Sequence, residues 1–251
     1  MIGSLKPYAI RVGDTVRRPA EEWTPAVHAL LRHFEAVGFG GAPRALGVDD
    51  EGREVVSYIP GETHEPPTDD DAVFELGRLL RQMHDAQAGF VPPPNARWQV
   101  APGTVQGTEV VCHNDPLGTN VVVRGGRPVA FIDWELAAPG PRLVDVVAAA
   151  GWWVPLRRDE GAERWGLPTD RRPERLRLLV EGYELDSAGR AGFAAMLSRV
   201  VRGWYESYRL WGGVERRPGW AERWNDGRGV QIDAEVRWIE AHREEIEQWL
   251  R

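Results

Sequence analysis

The spacing of hydrophobic positions divides this 251-residue chain into a strand-like beginning and a helix-like remainder. Tyr8 to Val12 and Thr15 to Arg18 read as two short strands around a Gly13-Asp14 turn. Arg44 to Val48 and Glu54 to Ile59 repeat the pattern across Asp49-Asp50-Glu51-Gly52. Between the two hairpins, Val27, Leu30, Leu31 and Phe34 fall at helical spacing. They predict a helix over Trp23 to Val37, with Thr24 as N-cap, Pro25 at the first helical position, and Gly38 with the Gly40-Gly41 pair at its end.

Pro60-Gly61 to Pro66-Pro67 reads as a linker, which divides the chain into a first unit of residues 1–61 and a second of residues 62–251. Beyond it, Val73, Leu76, Leu79, Leu80 and Met83 predict a helix from about Asp69 to Ala88. A proline-rich loop, Val91 to Pro94, leads to a short strand at Val110-Val111. Val121 to Val123 and Val129 to Ile132, joined by Gly125-Gly126, then form a predicted hairpin. From about Asp145 the chain reads as helical to its end, with breaks near Pro168, Pro173, Gly212-Gly213 and Gly227. There is no internal repeat and no low-complexity tract.

Composition narrows the setting. Hydrophobic residues make up 42% and charged residues 27% of the chain, as in a globular protein. A net charge of −7 argues against nucleic acid as a partner, since a phosphate backbone asks for a basic face. Cys112 is the single cysteine and can close no internal disulfide, which fits a reducing cytoplasm. The start, MIGSLKPYAI, is too short and too polar for a secretion signal. The longest apolar stretch, Leu143 to Leu156, is interrupted by Asp145 and falls short of a membrane span. Lys6 is the only lysine, so any cation needed elsewhere is arginine or histidine.

The chemistry is concentrated between Val111 and Glu135, which read VCHNDPLGTNVVVRGGRPVAFIDWE. His113, Asp115 and Asn120 sit in a stretch rich in Pro, Gly and Asn, hence a loop. The hairpin that follows brings its two ends together, so Asn120 and Asp133, which flank its open end, are expected side by side. An amide oxygen and a carboxylate are hard oxygen donors suited to Mg²⁺. Asp115 lies near them, free to accept a proton from an incoming hydroxyl. Phosphoryl transfer needs that set: a carboxylate to orient and deprotonate the acceptor, and metal ligands to hold the phosphates in line. Taken singly, each residue also fits a plainer role, Asp115 as a turn former beside Pro116, Asn120 as a cap and Asp133 as a strand end. Cys112-His113 invites zinc, but there is no second cysteine and no suitably spaced histidine pair.

The order Asp-x4-Asn, hairpin, Asp is shared by the protein-kinase-like fold. The form here is His113-Asn114-Asp115 through Asn120, then Ile132-Asp133-Trp134-Glu135. It resembles the aminoglycoside phosphotransferase and choline kinase branch, whose motifs are His-Gly-Asp-x4-Asn and Ile-Asp-x-Asp/Glu. Pro139 to Val146 resembles that branch's Gly-Asp-Pro-x2-Asp-Leu-Ala element, with Asp145 at its buried structural aspartate. The resemblance covers about residues 8 to 155. It implies an α+β, protein-kinase-like two-lobe fold, with a reduced β-rich N-lobe over a mainly helical C-lobe and ATP or GTP in the cleft. It also implies a catalytic set in which Asp115 is the base and His113 supports the loop. Asn120 and Asp133 would lie on Mg²⁺, and Glu135 would be a second acidic group at the metal or its water shell.

The nucleotide side departs from that branch. Only seven residues precede the first strand, with one glycine, Gly3, so the glycine-rich loop over the phosphates is cut short or missing. The lysine that contacts the phosphates in this fold falls at Thr15 to Pro19, where this chain has arginines. Arg17 is expected in the cleft, with its strand neighbour Arg18 on the other face. The helix glutamate that pairs with such a lysine has no clear match, the nearest helix positions being Val27 and His28. Val56 to Gly61 resembles the crossing strand, with the backbone of Tyr58 and Ile59 turned to a purine edge.

The implied activity is Mg²⁺-dependent transfer of the γ-phosphate of a nucleotide triphosphate to a hydroxyl of a small acceptor. A nucleotide-binding module without turnover is the rival, favoured by the trimmed lobe, and a metal-dependent phosphohydrolase ranks behind both. A polycationic aminoglycoside is not the expected acceptor, because nineteen Asp and Glu only balance nineteen Arg from residue 136 onward. Nine of the twelve tryptophans also lie after residue 150. Trp204, Tyr205 and Tyr208 on one predicted helix, with Trp152 and Trp153 behind the Asp145 element, are the candidate pocket wall for a flat or partly apolar alcohol.

Overall fold

The computed structural model describes residues 9–63, 69–163 and 166–251. Tyr8, Lys6 and the later part of the expected linker fall outside them. The first hairpin is β1 (Ile10–Val12) and β2 (Thr15–Pro19). β2 pairs antiparallel with β4 (Arg53–Ser57), and β4 with β3 (Ala45–Val48), which gives the sheet order β1-β2-β4-β3. The sheet is thinly covered: all of β1 is exposed, and Leu46 and Val48 of β3 show 50% and 55% of their surface.

Between β2 and β3 runs α1 (Thr24–Ala36), which buries Val27, Leu30, Leu31 and Phe34, the four positions its spacing selects. Trp23, not Thr24, is the cap residue. The Thr24 hydroxyl instead accepts the Glu21 N–H at 2.9 Å. The inner face of α1 does not stay with its own sheet. The Phe34 ring lies 5.4 Å from that of Trp134, and one continuous hydrophobic cluster joins α1 to the helices that follow.

The chain crosses into the helical half at Gly61. Its φ is 151°, and a Cβ there would run into Val122 and sit 2.7 Å from the Val123 carbonyl oxygen. Glu62 then exchanges two 2.8 Å backbone hydrogen bonds with Val123, which pins the crossing. α2 (Asp70–Asp85) starts where the Asp69 carboxylate accepts the Asp71 N–H, and it buries Val73, Leu76, Leu79, Leu80 and Met83 as its pattern predicts.

The helical body comprises α3 (Leu143–Trp153), α4 (Asp159–Glu163), α5 (Arg172–Gly182), α6 (Ser187–Ser207), α7 (Trp220–Asn225), α8 (Arg228–Ala241) and α9 (Arg243–Trp249). Gly227 separates α7 from α8, whereas Pro173 sits inside the first turn of α5. Gly212-Gly213 does not break the chain. A π-helical stretch, Tyr208–Val214, continues α6 through it, and the two glycines form a notch for α7. A Cβ on Gly212 would meet the Trp220 carbonyl oxygen at 2.5 Å, and one on Gly213 the Trp224 ring at 2.9 Å. Among the described residues no helix is long and apolar enough to cross a membrane. The architecture is α+β and two-lobed, with a small antiparallel sheet beside a helical body.

Candidate active site

Two short antiparallel ladders frame the motif segment. β5 (Val110–Cys112) pairs with β8 (Ala138–Gly140), and β6 (Val121–Arg124) pairs with β7 (Arg127–Phe131). The loop of residues 113–120 is fixed from below by the wholly buried carboxylate of Asp145. One of its oxygens accepts the His113 N–H at 2.8 Å, and the other accepts the Asn114 N–H at 2.7 Å. His84, from α2, approaches the same carboxylate at 3.1 Å through Nε2 and the Tyr183 hydroxyl at 2.8 Å through Nδ1. Asp145 thus lies buried beneath the loop, and His84 and Tyr183 extend its hydrogen-bond network in a way the linear sequence does not announce.

His113 is fully buried and supports the loop rather than facing the cleft. Its Nε2–H donates to the Ile132 carbonyl at 2.9 Å, which leaves Nδ1 to accept the Asp115 N–H at 3.3 Å. Burial holds its pKa below the usual histidine value, against the pull of Asp145 and the Ile132 bond, so the ring stays neutral. Asn114 has φ 64°, a left-handed conformation that Asn tolerates, at the position where the resembling motif has glycine.

Asp115, Asn120, Asp133 and Glu135 all line one cavity. The Asn120 amide donates to the Asp115 carboxylate at 2.7 Å and to the Asp115 carbonyl at 3.0 Å. The Ile132 N–H donates to the Asn120 carbonyl at 2.9 Å, so the hairpin's open end does bring Asn120 and Asp133 together. Asp133 has φ 62°, a strained angle for a residue with a Cβ, in the bend that turns it toward the loop. The Asp115 carboxyl is pushed up to about 7, chiefly by desolvation and then by the Asp133 charge. The Asn120 hydrogen bond and Arg223 act in the opposite direction.

The sheet contributes one cation to this group, and it is not the expected one. Arg18 pairs with both Asp133 and Glu54, while Arg17 points to the opposite face and meets Asp49 at 3.4 Å. Neighbouring strand residues must face opposite ways, so the error lies in the choice of face. Burial works against the Arg18 charge, and the Asp133 and Glu54 carboxylates outweigh it, raising its pKa. The partner glutamate comes from β4 rather than from a helix. Arg18 and Glu54 are directly paired across β2 and β4, and His28 of α1 approaches the Glu54 carboxylate at 3.2 Å. β4 ends at Ser57, short of Tyr58 and Ile59, and the Tyr58 N–H already donates to the Asp14 carbonyl at 2.8 Å.

Away from the sheet, the same cavity is lined by Trp152, Trp204 and Tyr208, three of the five expected wall residues. Trp153 is not one of them. It is fully buried in the core, and its carbonyl accepts two bonds from Arg175, at 3.0 and 2.9 Å. Tyr205 is not one either, since α6 turns it toward Trp224, 6.3 Å away between ring centres. Sequence reading misses Trp220, Arg223 and Arg228, which reach the cavity from α7 and α8. It also misses the residue 101–105 loop, which closes one side. That loop approaches α6 glycine against glycine: a Cβ on Gly103 would sit 2.6 Å from the Gly203 Cα. The Ser207 hydroxyl donates to Pro102 O at 2.7 Å and fastens the loop.

Comparison with known proteins agrees with this geometry. The family model described as "Phosphotransferase enzyme family" matches residues 6–102 and 95–179. A trifolitoxin immunity protein from Rhizobium leguminosarum bv. trifolii is 38% identical over 205 residues, which is 78% of each chain. Among solved structures, a spectinomycin phosphotransferase in complex with ADP and spectinomycin superposes with TM-score 0.62 at 13% identity, over 96% of this chain and 91% of that one. A choline/ethanolamine kinase family protein from Mesorhizobium loti has TM-score 0.58 at 19% identity, over 97% and 88%. At those identities the likeness is one of fold, and the fold is kinase-like.

Proposed function

The chain belongs to the phosphotransferase enzyme family, and on that premise we propose that it moves the γ-phosphate of ATP or GTP onto a hydroxyl of a small acceptor. The observation that carries the reading is a single cavity holding Asp115, Asn120 and Asp133 at one end and an aromatic wall at the other. Asp115 accepts the proton of the acceptor hydroxyl as its oxygen bonds to the γ-phosphorus. The bond from that phosphorus to the β–γ bridging oxygen breaks, and the nucleoside diphosphate leaves with the electron pair. Asn120 orients the Asp115 carboxylate through their 2.7 Å hydrogen bond.

The donor set fits Mg²⁺. Among the described residues no three His, Cys, Asp or Glu side chains form a metal cage. Mg²⁺ in kinase-type sites is held by one or two side-chain oxygens together with substrate phosphates, and the Asn120 amide and Asp133 carboxylate supply those. Glu135 adds a carboxylate on the same wall. When bound, the ion neutralises charge on the phosphates. Arg18, in place of Arg17, is the cation for the phosphates. The base edge is left to backbone from Ile59 onward, because the Tyr58 N–H is already committed. In this assignment residues 1–61 cover the nucleotide, and residues 62–251 hold the catalytic loop and acceptor pocket. The buried free thiol of Cys112 suits a cytoplasmic setting.

A nucleotide-binding module without turnover is the second reading, and the Arg18–Asp133 ion pair favours it by placing a guanidinium on the would-be metal ligand. The relative named for immunity supports a protective role, in which a harmful hydroxyl compound is modified or held. Calorimetry with MgATP and MgGTP, followed by turnover across a hydroxyl-compound library, separates the two. We expect binding followed by acceptor-dependent release of diphosphate. Binding with no phosphorylated product across the library would leave the module.

A further inference from the structure

Beyond Asp115, the cavity wall is a packed aromatic layer rather than scattered rings. Tyr208 lies 4.8 Å from Trp220, and Trp220 is backed by the buried Trp211, 4.9 Å away. The charged side chains at this end are Arg223 of α7 and Arg228, the first residue of α8. Among the described residues lining the cavity, the carboxylates are Asp115, Asp133 and Glu135. Arg223 is close enough to Asp115 for its charge to act on that carboxyl. The Arg228 guanidinium stands 5.9 Å from the Tyr208 ring centre and donates to the neutral Gln231 side chain at 3.3 Å.

A third arginine deepens the same field. Arg157 is buried behind the wall, 4.4 Å above the Trp152 ring, with its Nε–H on the Gly151 carbonyl at 2.7 Å. Burial brings its pKa down to about 10, the Arg228 and Arg172 charges push the same way, and Glu235 opposes them. The guanidiniums at this end favour an anionic group beside them over a cationic one. Planar guanidinium groups match carboxylate and phosphate oxygens, and aromatic walls suit a flat apolar body.

We propose that the acceptor is an anion: a hydroxyl compound with a flat, apolar body and a carboxylate or phosphate held by Arg223 and Arg228. This rests on the phosphotransferase reading and names the substrate class of the same pocket. The test uses three phenols matched in shape, 4-hydroxyphenylacetate, its neutral amide and the cationic tyramine. Their binding is read by quenching of tryptophan fluorescence, and phosphoryl transfer to each is assayed separately with MgATP and MgGTP. The anion is expected to bind at least about tenfold tighter than the other two, equivalent to about 1.4 kcal/mol. That preference should vanish in Arg223→Gln/Arg228→Gln and survive in Arg228→Lys, a variant that keeps the charge if the double variant proves unstable. Equal or tighter binding of tyramine, loss of the preference in Arg228→Lys, its persistence in the double variant, or no binding of any of the three overturns the proposal. Anion preference without transfer to any hydroxyl compound would instead leave the pocket assignment standing and remove the kinase reading. Transfer to cationic acceptors alone would do the reverse.

Discussion

The two ends of the cavity use arginine in opposite ways. At the sheet end, Arg18 is enclosed by carboxylates, paired with Asp133 and Glu54, with His28 behind. At the helical end, Arg223 and Arg228 share the lining with Trp204, Tyr208 and Trp220. The same side chain thus serves as one part of an ionic network in one region and as a neighbour of aromatic rings in the other. What distinguishes them is the company each keeps: carboxylates press against the guanidinium at the sheet end, while aromatic rings stand beside it at the helical end.

The largest expected effect lies where the two ends meet. Asp115→Asn should lower turnover by about 10²–10⁴-fold while sparing nucleotide affinity, the cost of losing a general base. The same change should stabilise the nucleotide-free protein. Folding raises the Asp115 carboxyl from 3.8 to about 7, so the folded state loses stability as pH climbs through that window, and Asn removes the loss. Thermal melts should show the variant above wild type at pH 8 and level with it at pH 4, with roughly 2–4 °C for each kcal/mol gained. Wild-type kcat/KM should rise with pH toward a plateau above about 7, where the base is unprotonated. A flat profile would remove Asp115 from that role.

Next come the adjacent tryptophans, which test where the pocket wall ends and the core begins. Trp153→Ala should cost about 3–5 kcal/mol in denaturant unfolding, since it empties a fully buried site. Trp152→Ala should act mainly by raising the acceptor KM. Equal effects of the two on acceptor KM would erase the distinction. At the sheet end, Arg18→Ala should weaken Mg-nucleotide binding in calorimetry by roughly tenfold to a hundredfold, the range for losing a charge-assisted contact. Arg17→Ala, whose partner Asp49 lies on the other face, should stay within about twofold. A last variant probes the loop over the helical end. A Cβ at Gly203 would press on the Gly103 carbonyl, so Gly203→Ala should cost about 1–3 kcal/mol and raise acceptor KM with nucleotide affinity unchanged.

Legibility in the sequence follows how local each constraint is. The Asp115–Asn120–Asp133 set could be read because a hairpin of fixed length converts sequence spacing directly into proximity. The buried faces of α1 and α2 were equally legible, since the 3.6-residue period is written in the side chains themselves. The face presented by β2 was not. Alternation says that Arg17 and Arg18 point opposite ways, but only the cross-strand neighbour Glu54 and the burial beneath decide which points inward. Gly212-Gly213 looked like a break for a related reason. Two glycines weaken a helix when they face water, and here they meet Trp220 and Trp224 of α7, a contact no local rule contains.

By itself, then, the sequence determined helices α1 and α2, every strand but β8, the loop–hairpin motif and the absence of lysine beyond residue 6, because these depend on residues adjacent or a few positions apart. Tertiary structure decided which arginine meets Asp133, which tryptophans face the cavity, and that α7 and α8 bring Arg223 and Arg228 into the pocket more than a hundred residues after Asp115. Those outcomes depend on how helices separated along the chain pack against one another. That packing is set by the summed burial of many side chains, and no short segment carries it.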